Sequence, residues 1–410
     1  MSPRSDWNVK PSKASQRAHN AIRAIVDTLK VDPSAQKSFI SLSIGDPTIF
    51  GNFNVDPSIN DAVIKQLQSF KHNGYPPAHG TAAARDAVAR KFSVPEKASL
   101  SADDVLLVNG CSSALELCMS ALCDPGQNIL LPRPGFPLYA SIATVREFES
   151  RFYDLLPERN WEADLEQMES LIDENTAAIL VNNPSNPCGS VYSREHLEAI
   201  LAVASKHKVP IIADEIYCDL VFKGNTFYPM ASLTEDVPIL AVGGLAKKWL
   251  VPGWRMGWVL VHDRHNAFAA GVRTGLLNLS QVLLGPNSIY QGALEDILHS
   301  TPQSFYDQTI EQLQNNAKIG LDVVGNIQGL NPVKPGGAMY MMVGIDTTQF
   351  KDIKDDVEFS QKLLKEENVL CLPGQCFEIP NFVRIVITPP AEMLSEAYER
   401  MADFCARHRK

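Results

Sequence analysis

The chain has 410 residues, 45% of them apolar and 20% charged, the proportions of a folded protein with a large core, which excludes disorder, collagen-like repeats and low-complexity arrays. Lys and Arg number 37 against 47 Asp and Glu, leaving a formal charge of −10 with no long basic cluster, so a nucleic-acid surface is not expected. Eight scattered Cys without a C-x-x-C pair do not make a disulfide framework and fit a reducing, cytoplasmic setting.

At the N-terminus, Arg4, Lys10, Lys13 and Arg17 stand against the single Asp6. This weakly resembles an organellar import segment, but Pro3 and Pro11 oppose the helix such a segment needs. No run reaches the roughly 18 apolar residues of a membrane span, so no membrane partner is expected. An N-terminal arm over residues 1–40 leads to a small α+β domain over 41–70 and 310–410, which brackets a large α/β domain over 71–309.

Short runs rich in Val, Ile and Leu fall at Val105–Val108, Asn128–Leu131, Ala178–Val181, Val209–Ala213, Pro238–Val242 and Trp258–Val261. Longer amphipathic stretches separate them, which predicts βαβ units around a mainly parallel sheet buried on both faces. One such stretch, Ser193–His207, sets Leu197, Ile200, Leu201 and Ala204 on a single helical face behind a Ser193 cap. Later in the chain a helix is expected through Gln312–Val324, strands at Ala338–Val343 and Phe382–Ile387, and then a terminal helix.

Ligands of open α/β sheets lie beyond the carboxyl ends of the strands, and the polar signatures of this chain fall there. The run ending at Val108 passes through Gly110, Cys111 and Ser112 into a helix over Ala114–Leu122. Free N–H groups at that helix start suit a phosphate, although an ordinary capped helix reads the same way. Asn183-Pro-Ser-Asn186-Pro-Cys-Gly189 carries more Asn and Pro than a turn requires. Asp214 closes the next run with Tyr217 three positions on; a carboxylate there needs a partner unless it is an N-cap. Gly243-Gly-Leu-Ala-Lys247-Lys248 follows another strand, where a desolvated lysine is a candidate nucleophile.

Other features have plainer readings. His262-Asp-Arg-His265 lacks further ligands at metal-binding spacing and reads as a surface loop, so no metal is expected. Cys118 shares an apolar stripe with Leu115 and Leu122 and reads as core. The acidic run Lys351–Glu358 reads as a water-facing segment.

Taken in order, Gly45-Asp-Pro47, Asn73-Gly-Tyr75, Gly80, Pro134-Gly-Phe136, the Asn183–Gly189 motif, Asp214-Glu-Ile-Tyr217, Lys247 with Arg255 eight positions later, and Arg384 resemble the pyridoxal-phosphate aminotransferases of fold type I, class I. Ser41–Thr48, Leu130–Phe136 and Gly243–Arg255 bring the chain nearest to the members that act on tyrosine. The likeness covers nearly all of the chain beyond the N-terminal arm.

What the resemblance implies is an α/β, fold-type I transferase with a mainly parallel sheet in its large domain and a smaller α+β domain. The cofactor would be pyridoxal 5′-phosphate, held as a Schiff base by Lys247 in preference to Lys248, because the family sets that lysine eight residues before its phosphate-binding arginine, here Arg255. Lys247 would also carry the proton between the substrate Cα and the cofactor. Asp214 would face the pyridine nitrogen, Asn186 and Tyr217 the 3′-oxygen, and Phe136 the ring. Gly110, Cys111, Ser112 and Arg255 would hold the phosphate, with Tyr75 reaching across from a second subunit of a homodimer. Arg384, with Gly45 and Asn186, would take the substrate α-carboxylate. Gly244 stands where many relatives have a phosphate-binding serine, which leaves the phosphate contacts open.

The reaction so implied moves the amino group of L-tyrosine to 2-oxoglutarate, giving 4-hydroxyphenylpyruvate and L-glutamate. A broad-specificity enzyme acting on aromatic amino acids, alanine or aspartate, a related C–S lyase or cyclopropane-forming synthase, and a non-catalytic cofactor-binding regulator are the alternatives. The last would need a basic DNA-binding module, and none is seen.

Overall fold

Apolar runs too short for helices and bounded by turn residues become the central strands. The computed structural model describes residues 7, 9–26, 37–269 and 271–410; Pro3, Arg4 and Asp6 of the basic N-terminal segment lie outside them. In chain order the strands are β1 (Ile40–Ser41), β2 (Val105–Val108), β3 (Asn128–Arg133), β4 (Glu149–Leu156), β5 (Glu162–Ala163), β6 (Thr176–Asn182) and β7 (Ile211–Asp214). Then follow β8 (Ile239–Gly244), β9 (Gly257–His262), β10 (Leu330–Pro332), β11 (Tyr340–Ile345), β12 (Val369–Leu370), β13 (Leu372–Pro373) and β14 (Phe382–Val386).

Eight of these strands form one sheet in the order β2-β9-β8-β7-β6-β3-β4-β5. The five from β8 to β4 run parallel to one another, while β9 pairs antiparallel with both β8 and β2 and β5 antiparallel with β4. Every residue of β2, β7 and β8 is buried, as helices on both faces of a parallel sheet require. Helix Arg194–His207 is one of these covers. Ser193 caps it by accepting from the His196 N–H, and Leu197, Ile200, Leu201 and Ala204 are its buried face.

β4 was not expected. Its first half is Glu-Ser-Arg and its outer residues are half-exposed, because only the short β5 lies beyond it, so it has neither the apolar run nor the clean alternation that marks a strand. The expected helix through Gln312–Val324 begins earlier, at Gln303, and spans 22 residues. His262 is not in a loop: it ends β9, paired with Ile239, and burial lowers its pKa to about 4. All eight cysteines are free and buried, Cys118 and Leu115 fully within the core.

A second sheet, β10-β11-β14-β13, carries Arg384 on β14, paired with Met342 of β11 and Leu372 of β13. β1 pairs parallel with β12, and the Val386 N–H donates to Leu42 O at 2.9 Å, which draws the segment after β1 alongside β14. On the other side, Asn316 Nδ2 of the long helix donates to Ile387 O and Pro389 O, both at 2.9 Å.

Within the acidic run, Asp356 departs from expectation, for its side chain is fully buried. Its carboxylate accepts from Gln375 N–H at 2.9 Å, Gln375 Nε2 at 3.0 Å and Asn381 N–H at 2.9 Å. Three donors from the segment that enters β14 leave no need for water, which is why an acid can be buried there. Asp356→Ala strands those donors and is expected to cost on the order of 3 kcal/mol, seen as a lowered thermal midpoint. An unchanged midpoint would show that these bonds do not hold the segment.

Candidate active site

At the carboxyl ends of β7, β6, β8, β3 and β2 the chain encloses a cavity of about 520 Å³. Asp214, the last residue of β7, points into it and is 3% exposed. Tyr139 Oη donates to Asp214 Oδ2 at 2.7 Å, the Ile216 N–H to Oδ1 at 3.2 Å, and the Cys111 thiol to Oδ1 at 3.6 Å. Burial raises the pKa of this carboxyl above its ordinary value, against the pull of Tyr139, Ile216, Cys111 and the Lys247 charge. A cation set against Asp214 in the cavity would relieve that burden.

Beyond β8, the two candidate lysines part company. Lys247 lines the cavity and its Nζ donates to Gly45 O at 2.6 Å, 5.9 Å from the Tyr217 ring centroid. Lys248 is turned away, paired with Asp219 and lying over the rings of Trp249 and Tyr306 at 5.4 and 5.0 Å. Lys247 therefore has the accessible amine.

Cys111 opens helix Cys111–Leu122, three residues earlier than expected, and no side chain caps the helix start. Gly110 precedes it at φ 81°, and a Cβ there would stand 2.5–3.0 Å from the Arg255 guanidinium. Arg255 thus lies against an uncapped helix N-terminus, with NH1 held by Pro252 O at 2.9 Å, and Cys111 and Ser112 complete this end of the cavity. Together they make an anion site. Gly244 is explained by close approach: a Cβ would lie 2.7 Å from Met256 O and 3.1 Å from Gly257 Cα, so a serine does not fit without moving backbone.

On the opposite wall, Arg384 is 3% exposed. Its NH1 donates to Asn186 Oδ1 at 2.9 Å and NH2 to Ser43 O at 2.6 Å, while the buried Nε has no partner among the described residues. Burial lowers its pKa from the usual arginine value, though Tyr340 and Tyr217 oppose this. Asn186 is itself positioned from β6, where Asn182 Oδ1 accepts its N–H at 2.8 Å. Phe136 and Gly45 also line the cavity. Tyr75 does not line it; its side chain is 93% exposed.

Three features were not anticipated. Tyr139 meets Phe136 edge-on, with centroids 5.7 Å apart, and supplies the short bond to Asp214. Tyr340 of β11 bonds Tyr217 Oη to Oη at 2.7 Å and lies under the Arg384 guanidinium at 4.5 Å. Ile22 and Val26 of helix Ala21–Val26 line the mouth beside Phe39, Leu370 and Leu372. A carboxylate for a ring nitrogen, an amine for an aldehyde and an anion cradle for a phosphate thus surround one cavity, and the donor set fits pyridoxal 5′-phosphate.

The family model described as aminotransferase class I and II matches residues 37–401. The chain is 54% identical to tyrosine aminotransferase of Mus musculus over 402 residues, covering 98% of this chain and 88% of the relative. Among solved structures, tyrosine aminotransferase from Leishmania infantum superposes with a TM-score of 0.95 at 35% identity, covering 99% of this chain and all of that one. Alanine aminotransferase from Pyrococcus furiosus does so at 0.90 and 30% identity, covering 97% and 100%. No helix among the described residues is long and apolar enough to cross a membrane. The chain belongs to the class I and II aminotransferase family and is a pyridoxal-phosphate-dependent aminotransferase.

Proposed function

We propose that this chain transfers the amino group of L-tyrosine to 2-oxoglutarate, yielding 4-hydroxyphenylpyruvate and L-glutamate. The observation that carries the substrate is the 54% identity over 98% of the chain to a relative named for tyrosine. The apolar mouth formed by Ile22, Val26, Phe39, Leu370 and Leu372 supports it, because a flat ring gains most from such walls.

Pyridoxal 5′-phosphate supplies, when bound, the carbonyl that takes the amine and a ring that accepts the electrons released at the substrate Cα. Lys247 holds the cofactor and, once free, takes and returns the Cα proton at Nζ. Asp214 keeps the ring nitrogen protonated, and its three donors favour its charged form against burial and keep it aimed. Asn186 and Tyr217 bind the ring's 3′-oxygen and favour its charged form, while Phe136 packs on the ring. Arg255, the Gly110 backbone, Cys111 and Ser112 bind the phosphate. Arg384 grips the α-carboxylate through its planar fork beside Gly45 and Asn186, with the unpaired Nε among the donors available.

The working unit is a homodimer in a cytoplasmic setting. Phe70 and Tyr75 stand exposed, as do Val282, Leu283 and Leu284, and the two segments adjoin, since Ser288 Oγ donates to His72 O at 2.5 Å. A patch this apolar needs a cover, and a second copy lets Tyr75 reach the neighbouring phosphate site.

Assayed with 2-oxoglutarate against a panel of amino donors, tyrosine should give the highest kcat/KM. Equal or faster turnover of alanine or aspartate would replace the proposal with a broad-specificity enzyme. Arg384→Lys should lower kcat/KM for every donor by the equivalent of about 2–4 kcal/mol in transition-state stabilisation while cofactor content is kept, since lysine cannot copy a two-point carboxylate bond; unchanged kinetics would remove Arg384 from the carboxylate site. Light scattering should return twice the mass of the chain, and Tyr75→Phe should raise the dissociation constant for the cofactor without changing that mass. A monomer of full activity would overturn the shared site.

A further inference from the structure

Tyr340 is assigned no part in the reading above, yet its side chain touches both Tyr217, in the turn after β7, and Arg384 of β14. It is 2% exposed on β11. Its hydroxyl meets the Tyr217 hydroxyl at 2.7 Å and its ring lies edge-on to that of Tyr217, with centroids 5.7 Å apart. Its ring centroid lies 4.5 Å from the Arg384 guanidinium carbon, and that of Phe377 lies 4.7 Å from the same carbon. Gly45 is shaped around it: a Cβ at position 45 would run into the Tyr340 hydroxyl, with ring carbons at 3.3 Å.

We propose that Tyr340 is a positioning residue that sets two groups at once, its hydroxyl orienting the Tyr217 phenol from across the cavity and its ring holding the Arg384 guanidinium flat. The inference rests on the roles given above to Tyr217 and Arg384. Two buried hydroxyls can share only one proton along the line between them. With the Tyr217 proton directed at the cofactor's 3′-oxygen, Tyr340 must be the donor to Tyr217 Oη, and this donation makes Tyr217 the better donor in turn. That favours the anionic 3′-oxygen and lowers the pH at which the bound cofactor loses its proton. Packed against the rings of both Tyr340 and Phe377, the guanidinium is restricted in the rotations that would turn its fork from the cavity.

The two halves separate in two variants of the holoenzyme. In Tyr340→Phe the ring and the stack remain, so the pH midpoint of the cofactor's visible absorption band should rise while KM for tyrosine stays within about twofold. In Tyr340→Leu the stack is also lost, and KM should rise on the order of tenfold over Tyr340→Phe, with cofactor content unchanged. Tyr217→Phe serves as the reference. If it moves the midpoint and Tyr340→Phe does not, or moves it downward, the hydroxyl's role is overturned. If Tyr340→Leu and Tyr340→Phe share one KM, the ring's role is overturned. A midpoint unmoved by Tyr217→Phe overturns the assignment of Tyr217 itself, and this proposal with it.

Discussion

A carboxylate held out of water at the end of a central strand is the constraint around which the cavity is arranged. An isolated buried charge is costly, and Asp214 is tolerated because the Tyr139 hydroxyl, the Ile216 N–H and the Cys111 thiol converge on it. Each donor comes from a different place: the helix after the Phe136 turn, the turn after β7, and the first turn of the helix after β2. Satisfying one acid therefore fixes the relative positions of three connections. The same arrangement leaves Lys247 and the uncapped helix start facing a common space.

Arg384 is the counterpart on the second sheet. A guanidinium buried this deeply is held by Asn186, by a backbone oxygen at Ser43 and by two aromatic faces. Since Asn186 follows β6 and Ser43 follows β1, the setting of Arg384 depends on the large sheet, the β1-β12 pair and the second sheet meeting correctly. Asp356 secures the strand entry on the far side of Arg384, so an acidic residue remote from the cavity bears on the geometry within it.

Much of this was legible in the residue order because chemistry at strand ends uses types that local structure does not demand. An acid closing an apolar run, a lysine pair after Gly-Gly and an Asn-Pro repeat each stand out. Tyr139, Tyr340 and Asp356 did not, for a Tyr within an apolar stretch reads as core and an acid among lysines reads as surface. β4 escaped for a related reason, its polar first half masking a strand next to the sheet's edge.

What the sequence determined by itself was the alternation of strand and helix, the places where polar groups cluster, and the identity of the groups available, since these follow from side-chain periodicity and local backbone preference. Between the two lysines it favoured Lys247 only through the family's eight-residue spacing to Arg255. The tertiary structure supplied a physical distinction, sending Lys248 to Asp219 and two aromatic rings and Lys247 to the cavity. It likewise decided that Gly244 has no room for a serine and that Tyr340 reaches both Tyr217 and Arg384, because contacts between residues far apart in the chain exist only once the sheets pack.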